Sequence, residues 1–309
     1  MRRTFSWVLL LLIVWGINQY WPVTVHISGI IPEEDFSIRM PLKDKKRLDW
    51  FFRYACFLNL WAYTSVGSKP MSTHQYTKPW VQFQKIIKHP ELKSILGNAL
   101  WPPDFRELCY LLNPEQLRIK LGWETLNKYF SSFPNSRFAL LTYCGNNDIV
   151  CLALVDKEKI IKIVNKHSSD FQEILQKLKM EQEDLFNNEK LYQFLKNLTS
   201  DGLIGTVLGF GRDNAHLYEK YAKMDPRERP MSTIWSDEHD AWLEQLGNKD
   251  LCLQPWDTSD LFYPLFACDP ESEETRQLKQ TYKGEREKII KYYEGKDVVE
   301  ATLSLLNQK

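Results

Sequence analysis

Glycine crowds together at one place in this chain. In Asp201-Gly-Leu-Ile-Gly-Thr-Val-Leu-Gly-Phe-Gly-Arg-Asp-Asn-Ala-His216, Gly202, Gly205, Gly209 and Gly211 run straight into a polar cluster. Two backbone courses are open to it. In the first, Ser200 and Asp201 cap a single helix that continues to about Tyr221. Gly202, Gly205 and Gly209 then share one face, which continues into Asp213, His216 and Lys220. Leu203, Val207, Phe210 and Leu217 make most of the remaining surface apolar, so such a helix belongs at the centre of a fold. Each helical glycine costs about 1 kcal/mol relative to alanine, and close packing against another backbone has to recover it. In the second course Gly209 and Gly211 break the chain into a loop and a helix starts near Arg212. Its backbone N–H groups and Arg212 could then hold a phosphate or carboxylate. The spacing G-x-x-x-G-x-G matches neither the Walker pattern nor G-x-G-x-x-G. The sequence therefore favours the packing helix, with Gly205, Gly209 and Gly211 as structural glycines.

The chain has 309 residues, 43% of them hydrophobic, which is ample for one substantial core. Forty basic residues balance forty acidic ones, so there is no electrostatic footprint for nucleic acid. Arg2 and Arg3 precede an uncharged stretch, Phe5 to Val25, whose densest part is Trp7 to Trp15. A basic start before an apolar run reads as an export signal or signal anchor. No good small-x-small cleavage site follows, so residues 1–25 are expected to stay attached as an apolar helix and to hold the chain in a membrane. Trp15, Tyr20 and Trp21 would lie near the far interface. Residues 26–309 are then one extracytoplasmic domain, facing the periplasm from a bacterial inner membrane, or exported.

The expected fold is mainly α, an irregular multi-helix domain with a minor β-hairpin. A linker carrying Pro22, Pro32 and Pro41 leads to a helix of about 43–63 and a turn at Gly67–Met71. Helices are expected at about 77–88, 91–97 and 103–111, and a clearer one follows Asn113-Pro114. Phe138–Cys144 and Ile149–Val155 are apolar runs joined by Gly-Asn-Asn-Asp, which reads as a hairpin buried on nearly both faces. If Gly145 pairs with Asp148, Cys144 faces Ile149 and Cys151 faces Thr142. Helices at 157–166, 169–182 and 188–199 precede the glycine stretch, with Ser168 as a cap. A short helix follows Ser236, and two more span about 271–293 and 298–306. The six cysteines include no C-x-x-C pair and read as mostly buried thiols. Asn197-Leu-Thr199 matches a glycosylation acceptor, but reads as a helix end.

Three blocks resemble a family of signal- or anchor-bearing envelope or secreted proteins of chlamydia-like and legionella-like intracellular bacteria. They are Ala62-Tyr-Thr-Ser-Val-Gly-Ser-Lys-Pro-Met71, the Leu-Gly-Phe-Gly-Arg-Asp-Asn-Ala block ending at Ala215, and Phe262-Tyr-Pro-Leu-Phe-Ala-Cys-Asp-Pro270. Ser65-Val66 departs from the usual Leu-Phe of that family. The resemblance implies export and carries over no catalytic residue.

Candidate chemistry gathers after the glycines. Arg212, Asp213 and Asn214 are polar residues in an apolar helix, and burying them requires hydrogen-bond partners. The favoured account is a clamp to the Gly67–Met71 turn through backbone carbonyls and Lys69; the alternative is a ligand-facing role. His216 and Glu219 form H-x-x-E, close enough for one metal ion only if a third ligand arrives from elsewhere. The H-E-x-x-H and G-x-S-x-G patterns are absent, and Trp235–Asp240 reads as a capped helix start rather than a metal site. No metal or other cofactor is expected. The functional expectation is an envelope-anchored binding or interaction module with a protein or small-molecule partner. The alternatives are an enzyme, such as a hydrolase of envelope components acting around Arg212, Asp213, Asn214 and His216, and a secreted protein acting on host factors.

Overall fold

The computed structural model describes residues 22–27, 36–77, 114–133, 136–144, 149–222, 224–225, 231–235, 238, 244 and 256–308. Its middle layer is a three-stranded antiparallel sheet of β3 (Met71–Thr77), β4 (Phe138–Cys144) and β5 (Ile149–Asp156), ordered β3-β5-β4. The hairpin has the expected borders, but its register differs by one residue. Cys144 pairs with Val150 and Tyr143 with Cys151, so the two cysteine positions no longer share a face. β5 is buried along nearly its whole length because it lies between two strands and two layers. Its partner β3 was expected as the end of a turn and the start of a helix. The polar run Met-Ser-Thr-His-Gln-Tyr-Thr carries little strand signal, and it becomes an edge strand by pairing Met71 to Thr77 against Val155 to Ile149.

The two faces of this sheet feed separate cores. Phe138, Val150, Leu152 and Leu154 join the larger one. Met71, Ala139, Leu141, Ala153 and Val155 join the smaller one. The larger core holds a second, two-stranded sheet of β1 (Pro22–Ile27) and β2 (Phe36–Pro41). Here the expected linker is corrected, as is the expected helical course of Pro22–Val25. β1 buries Val25 and Ile27 in alternation, and Pro22 and Pro41 face each other at the ribbon's end, where a missing N–H costs least.

The helix expected at 43–63 is interrupted. α1 (Leu42–Arg53) runs into a π-helical turn, Tyr54–Leu58, and then stops at Leu60, which takes left-handed backbone angles with φ of 66°. α2 (Trp61–Ser65) follows on a new course. This returns Trp61 to the core, edge-on to Phe51 at 5.6 Å. α3 (Pro114–Phe130) packs on α1. Cys56, Cys151 and Cys268 are buried free thiols.

The smaller core is covered by α4 (Lys157–Lys166), α5 (Ser168–Leu178), a 3₁₀ turn at Gln182–Phe186 and α6 (Asn188–Lys196). The expected helix of 169–182 is therefore shorter, ending at Lys179 in the left-handed region. Ser168 is its first residue, and the cap position is taken by His167, which makes no side-chain cap bond. Asn197 ends α6, donating to the Gln193 carbonyl at 2.9 Å. After α7 (Asp201–Val207) and α8 (Arg212–Tyr221), β6 (Ser232–Thr233) and β7 (Ala267–Cys268) form a minimal ribbon. α9 (Glu273–Tyr293) and α10 (Val298–Leu306) close the chain near the expected borders. Asp297 caps α10 by accepting from the N–H groups of Val299 and Glu300.

The described residues are thus mainly α, with ten α-helices and small antiparallel sheets. None of those helices is long and apolar enough to cross a membrane. Residues 1–21 and the helices expected at 77–88, 91–97 and 103–111 lie outside the described residues, apart from Thr77, and of the one expected after Ser236 only Glu238 and Glu244 are described, both helical.

Candidate functional site

The glycine stretch is two helices, which overturns the continuous-helix expectation. α7 spans Asp201–Val207 and α8 spans Arg212–Tyr221. Gly209 and Gly211 between them have φ of 82° and 88°, angles that cost glycine little and L side chains much. The carbonyls released by the break are taken up from outside. Lys69 Nζ donates to the Leu208 carbonyl and the Tyr282 hydroxyl donates to the Gly209 carbonyl at 2.6 Å. Phe210 stacks on Phe266 at 4.9 Å, which fixes the loop from its apolar side.

The glycines do allow a close approach, but the approaching element is the second half of the same stretch. α8 folds back along α7, so that a Cβ at Gly205 would lie 2.7 Å from that of Ala215. One at Gly202 would lie 2.4 Å from His216 Nδ1. Gly205→Leu is therefore expected to lower stability by about 1–3 kcal/mol through overpacking, measured as a shift of the urea midpoint at unchanged slope.

Ser200 caps α7 as expected, accepting from the Leu203 N–H and donating to Glu219 Oε2 at 2.8 Å. The polar residues that follow serve separate ends. Arg212 reaches Asp170 on α5 in a two-pronged pair, 2.5 and 3.0 Å, which holds the Asp170 carboxyl below its ordinary range. The Asp213 side chain is exposed, with Arg212 Nη1 at 3.3 Å from its Oδ1. Asn214 is 1% exposed. Its Oδ1 accepts from the Asp269 N–H and the Thr275 hydroxyl, and its Nδ2 donates to the Phe210 carbonyl. His216 lies between carboxylates, 3.8 Å from Asp170 and 3.6 Å from Glu219.

The expected clamp to the Gly67–Met71 turn thus holds only through Lys69. Arg212 and Asn214 fasten α8 to α5 and α9 instead. Glu274 of α9 supplies the anion for the start of α8, accepting from the N–H groups of Asp213 and Asn214 at 3.3 and 2.9 Å. The carboxylate-binding loop is present, and the protein's own carboxylate fills it.

Beside this loop lies a cleft of about 270 Å³ between the end of α4, the loop and α9. Lys166 and Arg212 bring cationic groups to it, His167 an imidazole, Gln277 and Thr281 polar groups, and Glu274 the acidic one. The side chains of Lys166, His167 and Thr281 have no hydrogen-bond partner among the described residues. Burial holds the His167 pKa below its ordinary value, and the charges of Lys166 and Arg212 reinforce this against Asp170 and Glu274. Lys69 is buried against the same loop, its Nζ 4.7 Å from the centre of the Phe210 ring. Burial pushes its pKa down to about 7.

Sequence reasoning named Lys69 and Arg212 to Glu219, but missed Lys166, His167, Glu274 and Thr281. Nothing local marks those four, since only chain folding joins the turn at Ser68 and Pro70, the end of α4, the glycine loop and α9 at the cleft. Among the described residues no group of three His, Cys, Asp or Glu side chains is placed to hold a metal ion. No known protein family, curated protein or solved structure matches this chain.

Proposed function

We propose that the protein is a binding module, attached to a bacterial envelope by residues 1–21, whose ligand sits in the cleft between α4, the Gly209–Gly211 loop and α9. The observation that carries this reading is the set of uncommitted donors in the cleft. Lys166, His167 and Thr281 come from different elements, line one concavity and have no hydrogen-bond partner among the described residues. Around the enzyme site that the sequence suggested, Arg212 is paired with Asp170. Asn214 is consumed by three hydrogen bonds and the Asp213 side chain lies out in solvent. The sequence pattern of Arg2, Arg3 and the apolar run supports attachment, and the three-block resemblance to envelope or secreted proteins of intracellular bacteria supports export.

Two measurements test the reading. Titration of the chain with a panel of sugars, amino acids, carboxylates and phosphates, followed by amide chemical shifts, should perturb Ser68, Gly209 and Thr281 together. A saturable response confined to other surfaces would rule the cleft out. Cell fractionation with N-terminal sequencing should find the chain in the membrane with its first residues intact. A soluble mature chain starting near Asn18 would reject retention and favour the secreted form.

A further inference from the structure

We propose that the ligand of this cleft is a small oxyanion held between Lys166, His167 and Arg212, and that the Glu274 carboxylate competes against it. The inference rests on the reading of the cleft as a binding site. Its basis is the charge the walls present. Three cationic or protonatable side chains from α4, the turn after it and α8 line the cavity, against one carboxylate. That carboxylate is already engaged with two backbone N–H groups, and Arg212 is answered by Asp170 from outside the lining. Among the described residues Lys166 and His167 have no acceptor for their side chains. An anion in a cleft of about 270 Å³ would meet both of them.

Glu274 is the charge that such an anion has to face. It lies on the same wall as Gln277 and Thr281, one and two helical turns away along α9. It rests where it does because Gly211 has no side chain, since a Cβ there would lie 2.5 Å from the Glu274 carboxyl carbon. Its two N–H bonds are ordinary hydrogen bonds at 2.9 and 3.3 Å, so an incoming oxyanion can repel it or take its place.

The charged groups acting on His167 are Lys166 beside it, Arg212 of α8, Asp170 of α5 and Glu274 of α9. Burial and the two cations lower the imidazole's pKa, and an anion placed among them opposes that. Binding is therefore coupled to uptake of a proton by His167, which favours affinity as the pH falls.

The experiment is calorimetric titration of the full chain with citrate and with inorganic phosphate at pH 5.5 and 7.5. Glucose serves as a neutral probe, and the variants are Glu274→Gln, Gln277→Glu, Lys166→Ala and His167→Asn. Glu274→Gln keeps an acceptor oxygen for the two N–H groups and should tighten anion binding at least about fivefold. Gln277→Glu, on an exposed position, should weaken it comparably. Lys166→Ala should weaken it at both pH values, and His167→Asn should remove the part of the pH dependence that exceeds the titration of the probes themselves. Preference for citrate assigns a carboxylate ligand and preference for phosphate a phosphorylated one. Anion binding with no gain in Glu274→Gln and no loss in Gln277→Glu would overturn the competition. Glucose binding in the cleft without anion binding would overturn the anion inference and leave the binding site standing. No binding of any probe by wild type or Glu274→Gln would overturn both.

Discussion

Lys69→Met is expected to stabilise the protein at pH 6 by about 3 kcal/mol, and the gain should vanish or reverse slightly by pH 10. At pH 6 the buried amine carries its charge with one carbonyl, that of Leu208, and the Phe210 ring as its partners. A folded-state pKa of about 7 against an ordinary 10.5 corresponds to ~5 kcal/mol of unfavourable burial. The sign follows from proton counting. Between about pH 7 and 10.5 the unfolded chain binds a proton at Lys69 that the folded chain lacks. Wild-type stability therefore rises with pH across that window, and the whole penalty stands below it. Methionine keeps the apolar stem but leaves the Leu208 carbonyl without its donor, which costs roughly 1–2 kcal/mol at every pH. Urea unfolding of both proteins at pH 6 and pH 10 separates the terms. A variant less stable than wild type at both values would show that the amine is held by more than one carbonyl and one ring.

Asn214→Leu should act in the opposite direction and at every pH, destabilising by about 4 kcal/mol. The loss has two parts. The Asp269 N–H and the Thr275 hydroxyl lose their acceptor where Asn214 is buried, at about 1–3 kcal/mol each. The Phe210 carbonyl also loses a donor at the edge of the glycine loop. The neighbouring Asp213→Asn, on an exposed side chain, should stay within about 0.5 kcal/mol of wild type. Thermal unfolding of the two variants side by side checks this. Equal losses would mean that the start of α8 is held by its charge and not by Asn214.

The contrast between these neighbours bears on how much of the site is legible in one dimension. Lys69, Arg212, Asp213, Asn214, His216 and Glu219 do gather around one region, as their residue types suggest. Their partners are not legible. Asp170 lies 42 residues from Arg212, and Glu274 lies 60 from Asn214. Each is an ordinary surface carboxylate until the chain folds. The break at Gly209 and Gly211 was one of two allowed courses, because glycine permits both a helical φ and a left-handed one. What decides between them is the set of groups that receive the freed carbonyls, Lys69 and Tyr282, together with the stacking of Phe210 on Phe266.

Local patterns by themselves determined the borders of the hairpin, α9 and α10, the start of α3, and the Ser200 cap of α7. Each rests on a contrast that neighbouring residues carry, such as apolar against polar or a cap before a periodic run. The hairpin register, the strand β3, the bend at Leu60 and the cleft were decided only in three dimensions. A strand buried on both faces has no alternation to choose between adjacent registers. A polar edge strand is defined by the partner it pairs with. Leu60 adopts a left-handed angle because the burial of Trp61, Ala62 and Tyr63 outweighs its local cost. The cleft exists because α4, α8 and α9 meet there, and the charge balance across it is a sum over segments that no local window contains.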